Sequence, residues 1–131
     1  MKVIVDTCIW SLSLRRNKST NEDETKKLSS LILSNQAVII GPIRQELLSG
    51  ISNESDFDKL RNHLKSYDDF PISTHDYEMA AQFFNHCRKN GIQGSMIDFL
   101  ICAVAVNNDM HIYTVDKDFN HFAKYMPIKF F

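Results

Sequence analysis

Residues 3–10 read Val-Ile-Val-Asp-Thr-Cys-Ile-Trp, and this stretch decides the fold. The β-branched run 3–5 is typical of a strand that is buried on both faces of a parallel sheet. The residues that follow predict a short helix over 7–14, so the chain passes from strand to helix at Asp6. The opening of the chain therefore predicts the first unit of an α/β protein, with Asp6 at the carboxyl end of its strand.

The rest of the chain repeats this alternation of strands and helices. Three further short apolar segments predict strands over 37–40, 111–114 and 128–131. Between them, the spacing of apolar residues predicts helices over 22–33, 43–48, 54–67, 74–89 and 96–106, and a helical turn over 119–124. The polar run 15–21 predicts a loop, with Asn21 as the N-cap of the next helix. This order predicts one domain over 1–131, an α/β sandwich around a central parallel sheet.

Four acidic residues fall where this topology brings side chains to one edge of the sheet. Asp6 and Asp116 follow predicted strands, and Glu46 lies in the first turns of the helix after the second strand. Asp98 opens the helix that leads into the third strand, and a crossover helix runs antiparallel to the strand it feeds. Ligands bind beyond the carboxyl ends of the strands in such sheets. We therefore expect Asp6, Glu46, Asp98 and Asp116 to meet there.

Clustered carboxylates favour one kind of ligand. Their mutual repulsion raises some of their pKa values and costs stability, and a divalent cation removes that cost. Hard cations prefer oxygen ligands, so the four acids predict a site for Mg²⁺, with Mn²⁺ as an alternative. A metal held in this way activates water and stabilises the leaving oxygen in phosphodiester hydrolysis, without a histidine or cysteine nucleophile.

Each acid also has a purely structural explanation. Asp6 could cap the helix that follows it, and Glu46 could be a solvated helix residue. Asp98, three residues after a serine, could belong to a capping box. Asp116 and Asp118 could both lie in a turn that starts the next helix. The predicted convergence of the acids, rather than any one of them, favours the metal site.

Composition narrows the class of protein. A formal net charge of −1 does not suit a protein that binds nucleic acid by charge alone, unless a local group of acids offsets its basic residues. The cysteines, Cys8, Cys87 and Cys102, are odd in number and contain no C-x-x-C pair, which argues against a disulfide framework and a zinc site. No apolar run approaches the ~20 residues of a membrane span, and an aspartate at position 6 does not suit a signal peptide. We expect a cytoplasmic protein with reduced thiols.

Four segments together resemble the PIN-domain family, and specifically the VapC-type toxins of bacterial and archaeal toxin–antitoxin modules. The segments are V-I-V-D-T-C-I-W (3–10), P-I-R-Q-E-L-L (42–48), G-S-M-I-D-F-L-I-C-A-V-A (94–105) and I-Y-T-V-D-K-D-F (112–119). They occur in the family's order and spacing, and the resemblance covers essentially the whole chain. It assigns the family's four acids to Asp6, Glu46, Asp98 and Asp116. Cys8 stands where the family often has serine or asparagine, so the sequence leaves open whether this position forms a hydrogen bond.

The resemblance implies a metal-dependent endoribonuclease that cuts a structured RNA, often a transfer RNA or a ribosomal RNA loop. It also implies a homodimer and a cognate antitoxin whose tail blocks the active site. Thr7 and Thr114 could hydrogen-bond a carboxylate or a metal-bound water, although β-propensity explains Thr114 slightly better. Five basic residues could contact RNA phosphates, or each could be a solvated surface charge. They are Arg15, Arg16, Lys18, Arg44 and Lys117.

Two alternative functions would require a different set of residues at the site. The first is a catalytically silent PIN-like module that binds RNA or protein; loss of an acid would favour it, and all four acids are present. The second is a phosphatase that uses Asp6 as a covalent nucleophile. Phosphatases of the haloacid-dehalogenase type carry D-x-D after the first strand, whereas here the segment is Asp6-Thr7-Cys8. Both alternatives are therefore disfavoured.

Overall fold

The structure is a computed structural model, which describes residues 1–14 and 22–131. Strands and helices alternate along these ranges. In chain order they are β1 (Val3–Val5), α1 (Thr7–Leu14), α2 (Glu22–Leu33), β2 (Ala37–Val38), α3 (Gly41–Leu48), α4 (Glu54–Leu64), α5 (Thr74–Lys89), α6 (Met96–Asn107), β3 (His111–Tyr113), α7 (Asp118–Phe122) and β4 (Lys129–Phe130). The predicted loop 15–21, including Asn21 as a helix cap, lies outside the described residues.

The four strands form one parallel sheet in the order β2–β1–β3–β4. β1 lies at the centre, paired with β2 on one side and with β3 on the other, and its register places Val5 opposite Tyr113. β4 pairs with β3 at the far edge. Helices flank the sheet, so the predicted PIN-like α/β/α sandwich with a central parallel sheet is confirmed.

α6 packs against α5 on one side and beside β1 and β3 on the other. Val3, Ile4 and Val5 are inaccessible to solvent, and so is Ile112 of β3. Residues 99–105 of α6 are all buried, as expected for a helix that is apolar nearly all round. This packing fixes the first turn of α6 against the sheet. No helix in the described ranges combines the length and apolar character that a membrane span requires.

Two helices begin with the same hydrogen-bonded cap. The side chain of Ser73 at the start of α5 accepts from the backbone N–H of Asp76, and that aspartate accepts from the backbone N–H of Ser73. Ser95 and Asp98 form the same reciprocal pair at the start of α6. Each capping box satisfies two N–H groups that a helix start leaves unpaired. Both predicted helix starts are confirmed, with Ser73 rather than Thr74 as the cap of α5.

The second strand is shorter than predicted. It covers Ala37–Val38 rather than 37–40, because Ile39 forms only an isolated bridge with Asp69 and Ile40 is already the N-cap of α3. Pro42 lies in the first turn of α3, where its missing N–H costs nothing, and the helix begins two residues before its predicted start. The apolar run 37–40 therefore contributes to the core over its whole length but to the strand over only half of it.

α4 ends at Leu64, three residues before its predicted end. Arg44 on α3 explains the difference, since its Nη1 donates to the carbonyl oxygen of Leu64 at 2.9 Å and its Nη2 donates to that of Tyr67. Its Nε also donates to Oδ1 of Asp69 at 2.8 Å. These bonds satisfy carbonyl groups at the end of the helix and turn the chain back toward α3. The other element ends agree with prediction or differ from it by one or two residues, the usual uncertainty of such boundaries.

Candidate active site

The candidate site lies at the carboxyl ends of β1 and β3. These strands are parallel neighbours, so the residues that follow them emerge side by side. The backbone N–H of Asp6 donates to the carbonyl oxygen of Tyr113 at 2.9 Å, which extends the strand pairing one residue beyond β1. Asp6 therefore lies beside Thr114, the first residue after β3.

Asp6 is 6% exposed, and within the described residues three groups donate hydrogen bonds to its carboxylate. Oδ1 accepts from the backbone N–H of Thr7 at 2.8 Å. Oδ2 accepts from the hydroxyl of Thr114 at 2.7 Å and from the thiol of Cys8 at 3.3 Å. Burial raises the pKa of Asp6; these hydrogen bonds oppose the rise, and the charge of Asp116 adds to it. The carboxyl group is thus held in one orientation before any ligand arrives.

Thr114 links the first and last of the predicted acids. Its Oγ1 donates to Asp6 and accepts from the backbone N–H of Asp116 at 3.0 Å. Sγ of Cys8 lies 3.5 Å from the same hydroxyl oxygen. Burial raises the pKa of the Cys8 thiol, which keeps its proton available for donation. The structure therefore shows both hydrogen bonds that the sequence left open, one from Thr114 and one from Cys8.

Asp98 reaches the site from the first turn of α6. Its Oδ2 accepts from the backbone N–H of Ser95 at 3.1 Å, and its own N–H donates to the Ser95 hydroxyl at 3.1 Å. Burial raises the pKa of Asp98, the hydrogen bonds with Ser95 oppose the rise, and the charges of Asp6 and Asp116 add to it. The charges of Asp6 and Asp116 therefore oppose the ionisation of Asp98.

Asp116 is exposed and begins the turn into α7. Its Oδ1 accepts from the backbone N–H of Asp118 at 2.9 Å, and Asp118 is the first residue of α7. In this turn Asp118 supplies a backbone donor, while its own side chain is exposed. The structural explanation of this pair as a helix-starting turn is therefore correct for both residues.

The three aspartates share one arrangement. One oxygen of each carboxylate accepts a backbone N–H from its own turn: Asp6 Oδ1 from Thr7, Asp98 Oδ2 from Ser95, and Asp116 Oδ1 from Asp118. Within the described residues the second oxygen of Asp98 and of Asp116 accepts no hydrogen bond, whereas Oδ2 of Asp6 accepts from Thr114 and Cys8. The capping explanation and the ligand explanation are therefore compatible for Asp98 and Asp116, because each uses a different oxygen.

Glu46, the fourth predicted acid, lies apart from this arrangement. It is exposed in the second turn of α3, a helix that also starts beyond the carboxyl end of its strand. Within residues 1–14 and 22–131, no hydrogen bond joins its side chain to the three aspartates. Its role in the site stays a prediction from the sequence.

The carboxylate oxygens at this edge of the sheet are ligands of the kind that a hard divalent cation prefers, but they do not enclose an ion. Asp98 and Asp116 each keep one carboxylate oxygen without a hydrogen bond from the described residues, and carboxylate oxygens are what Mg²⁺ and Mn²⁺ prefer. In the part of the chain that the structure describes, no three acidic, histidine or cysteine side chains converge closely enough to hold an ion. Mg²⁺ usually binds one or two carboxylates and keeps several waters, so these oxygens meet its needs without full enclosure.

The basic residues near the acids have different surroundings. The guanidinium of Arg44 is occupied by Leu64, Tyr67 and Asp69, so it stabilises the end of α4 rather than facing a substrate. Lys117 is exposed beside Asp116. The predicted contacts of Arg15, Arg16 and Lys18 lie outside the described residues.

The sequence pattern did not indicate a group of residues at the end of α5 and in the turn before α6. The guanidinium of Arg88 lies over the ring of Phe84, 5.5 Å from its centroid, and Gln93 is exposed in the turn that follows. The spacing of four residues between Phe84 and Arg88 was a visible signal, because residues at i and i+4 share a helix face. Their assembly into one cavity depends on the turn 90–95, which the sequence pattern does not describe.

Several solved structures resemble this chain over nearly its whole length. FitAcB from Neisseria gonorrhoeae has a TM-score of 0.79 at 20% identity, and the match covers 98% of this chain and 96% of that one. VapBC2 from Rickettsia felis, bound to a DNA fragment from its promoter, has a TM-score of 0.74 at 14% identity, covering 99% and 96%. VapBC-1 from nontypeable Haemophilus influenzae has a TM-score of 0.71 at 16% identity, covering 100% and 97%. At these identities the likeness shows a shared fold.

The comparison by sequence gives the family. None of the curated proteins compared with the chain matches it. The family model of the PIN domain matches residues 3–125, a range that runs from β1 through α7 and contains all the acids discussed above. This chain therefore belongs to the PIN domain family.

Proposed function

We propose that this chain is a metal-dependent endoribonuclease, built as a single PIN domain over 1–131. The observation that carries the proposal is the position of Asp6 and Asp116 beyond the adjacent strands β1 and β3, linked through the Thr114 hydroxyl, with Asp98 held by its capping box at the start of α6. Membership of the PIN domain family supports a nuclease, and the oxygen donors support Mg²⁺ or Mn²⁺ as its cofactor.

In the proposed reaction, the role of each acidic residue follows from how exposed its side chain is. Bound Mg²⁺ or Mn²⁺ would neutralise the scissile phosphate and lower the pKa of an attacking water. Asp6, buried and held by three donors, is the rigid ligand, and Asp98 presents its second oxygen from the fixed first turn of α6. Asp116 is exposed, so it lies where a phosphodiester can approach. Glu46 is the fourth acid of the proposal on the strength of the sequence.

The proposed biological role is that of a toxin in a type II toxin–antitoxin module. The resemblance to VapC-type toxins supports this role, and solved VapBC complexes share the fold. The same resemblance supports a cognate antitoxin, a homodimer and a transfer or ribosomal RNA substrate in the cytoplasm. Tyr77 and Met96 are large apolar side chains that are 55% and 76% exposed, and such exposure favours a protein partner.

A catalytically silent PIN-like module that binds RNA or protein is the second candidate. One observation favours it, since the described carboxylates do not enclose an ion as they stand. Metal binding separates the two candidates. A site of repelling carboxylates is stabilised by a cation, so added Mn²⁺ raises the melting temperature of a nuclease through linkage. A silent module shows no such rise.

The test of function is controlled expression in a bacterial host. The wild-type chain is compared with Asp98→Ala, and total RNA is examined for discrete fragments. We expect growth arrest and one defined set of cuts with the wild type only, and the cut ends identify the RNA. Equal cuts by both chains would remove Asp98 from the active site. The absence of cuts by the wild type, together with an unchanged melting temperature in Mn²⁺, would favour the silent module.

A further inference from the structure

A small cavity opens where α5 ends and α6 begins, at the turn that leads to Asp98. Its volume is about 190 Å³. Its walls are Phe84, Arg88, Ile92, Gln93, Gly94 and Phe99. Pockets for drug-sized ligands run from ~300 to ~1,000 Å³, so this cavity suits a single ring system rather than a larger molecule.

The chemistry of the walls suits one nucleobase. The ring of Phe84 and the planar guanidinium of Arg88 are two flat groups on which bases stack. The amide of Gln93 offers both a donor and an acceptor to the edge of a base. None of the six wall residues is acidic, so the cavity has positive character beside an edge of the protein that is otherwise acidic.

The stacking surface is held in place by core packing. The ring of Phe84 meets Phe99 edge-on at 5.6 Å between centroids, and Phe99 packs on Phe122 at 4.9 Å. Gly94 closes this wall so tightly that an added Cβ would lie 2.6 Å from Cζ of Phe122. A surface whose position is already determined loses little entropy when a ligand binds.

In the amino-acid sequence, two wall residues of the cavity also lie close to Asp98 of the proposed metal site. Gly94 immediately precedes Ser95, whose backbone N–H donates to Oδ2 of Asp98 at 3.1 Å. Phe99 directly follows Asp98 in α6, so a wall residue of the cavity and the carboxylate-bearing residue are neighbours in the first turns of one helix. A base in the cavity would therefore place the phosphate attached to it near Asp98.

We propose that this cavity is a subsite for one unpaired base of the RNA, adjacent to the phosphate that is cut. The base stacks against the Phe84–Arg88 pair, and Gln93 contacts its edge, which makes Gln93 a specificity-determining residue. The inference rests on the proposed ribonuclease function, which it extends to a preference for particular bases at one position of the RNA.

The test measures binding in the Asp98→Asn background, in Mg²⁺, with 5′-fluorescein-labelled hexamers of uridine, cytidine and adenosine. Fluorescence anisotropy is recorded for this parent and for three variants of it, Phe84→Leu, Arg88→Gln and Gln93→Ala. The control is Arg61→Gln, which removes the same charge from α4, where Arg61 pairs with Asp58 of its own helix. Arg88 and Gln93 are exposed, so two of the variants leave the core untouched.

We expect Phe84→Leu and Arg88→Gln to weaken binding by about 5-fold or more, as loss of a stacking partner does. Arg88→Gln should also reduce the slope of log affinity against log salt by about 0.7, the value for one lost contact to a single strand. Gln93→Ala should change the order of preference among the three hexamers, and Arg61→Gln should bind as the parent does.

Two results would overturn the subsite. One is a parent that binds the hexamers while Arg88→Gln and Gln93→Ala bind them equally well. The other is a parent that binds none of them. RNA cleavage by the wild-type chain is measured separately, so a protein that cuts RNA but ignores these substitutions refutes the subsite alone.

Discussion

The hydroxyl of Thr114 lies 2.7 Å from Oδ2 of Asp6, across 108 positions of sequence. Through the same oxygen it accepts the backbone N–H of Asp116 at 3.0 Å. A neutral side chain thus joins the ends of β1 and β3 and sets the position of two carboxylates. Groups that support metal ligands in this way matter nearly as much as the ligands themselves.

Thr114→Val should therefore weaken the site although valine has nearly the same shape. The substitution removes the hydroxyl from Oδ2 of Asp6 and should lower Mn²⁺ affinity or the cleavage rate by about 10- to 100-fold. Thr114→Ser keeps the hydroxyl and should retain most of both. Calorimetric titration with Mn²⁺ gives the affinity without relying on catalysis. A valine variant with wild-type affinity and rate would show that the hydrogen bond has no role.

Cys8 should have a smaller effect of the same kind. Its thiol is a weak donor and lies 3.3 Å from Oδ2 of Asp6, so Cys8→Ala should cost less than Thr114→Val in the same titration. Cys8→Ser supplies a stronger donor at this position and should match or exceed the wild type. Equal losses in the alanine and serine variants would instead assign the effect to packing of the sulfur.

Asp98 and Asp76 should affect the pH dependence of stability in opposite directions. Burial raises the pKa of Asp98, and the nearby carboxylates add to this rise, so the folded protein holds the proton more tightly than the unfolded chain. The contribution of Asp98 to the free energy of unfolding is therefore fully present below its ordinary pKa of 3.8. It is lost as the pH rises through the raised pKa of the folded protein. Burial alone would raise the pKa of Asp76, but hydrogen bonds from Ser73 and Asn107 lower it. Its contribution is present above 3.8 and is lost as the pH falls through the lowered pKa.

Urea unfolding of the metal-free protein at several pH values checks this contrast with matched variants. Relative to wild type, Asp98→Asn should become more stable as the pH rises, and Asp76→Asn should become less stable. The two aspartates occupy the same position of a capping box, so their shared capping role cancels in the comparison. Parallel changes in the two variants would contradict the opposite shifts in pKa.

Gly94→Ala should destabilise the fold, because its methyl group has no room between Phe122 and Phe99. Overpacking of this kind typically costs about 1–3 kcal/mol in the free energy of unfolding. Gly41→Ala is the control, since the nearest atom to its Cβ would be Oδ2 of Asp69 at 3.8 Å, an ordinary contact. Urea unfolding should show a clear loss for the first variant and little change for the second. Equal stability of the two would contradict the tight packing of the turn.

The position of Asp6 and Asp116 at one edge of the sheet could be predicted because it follows from topology. Once 3–5 and 111–114 are taken as parallel strands, Asp6 and Asp116 must emerge at one edge. The crossover rule then brings the start of the helix at Asp98 to the same edge. The apolar character of 99–105 also foretold the buried helix that holds Asp98 in place. Local pattern and chain direction sufficed for these features.

Other features depend on contacts that no local pattern records. Arg44 beside Glu46 looked like a candidate for phosphate binding, yet its partners are carbonyl oxygens 20 and 23 positions away. The end of β2 was similarly hidden, because an apolar run does not show where its backbone stops pairing. The cavity at Phe84 and Arg88 requires the turn 90–95 to pack against Phe122, which only the three-dimensional structure reveals.

Cleavage of total RNA by the purified chain, measured against Mn²⁺ concentration, tests the central claim most directly. Wild type, Asp98→Asn and the matched capping variant Asp76→Asn are assayed together, each at a temperature where it is folded. The account predicts metal-dependent cleavage by wild type and Asp76→Asn, and a loss in Asp98→Asn that exceeds the ~100-fold typical of a supporting group. Cleavage by Asp98→Asn at the wild-type rate, or cleavage that persists in EDTA, would contradict the account.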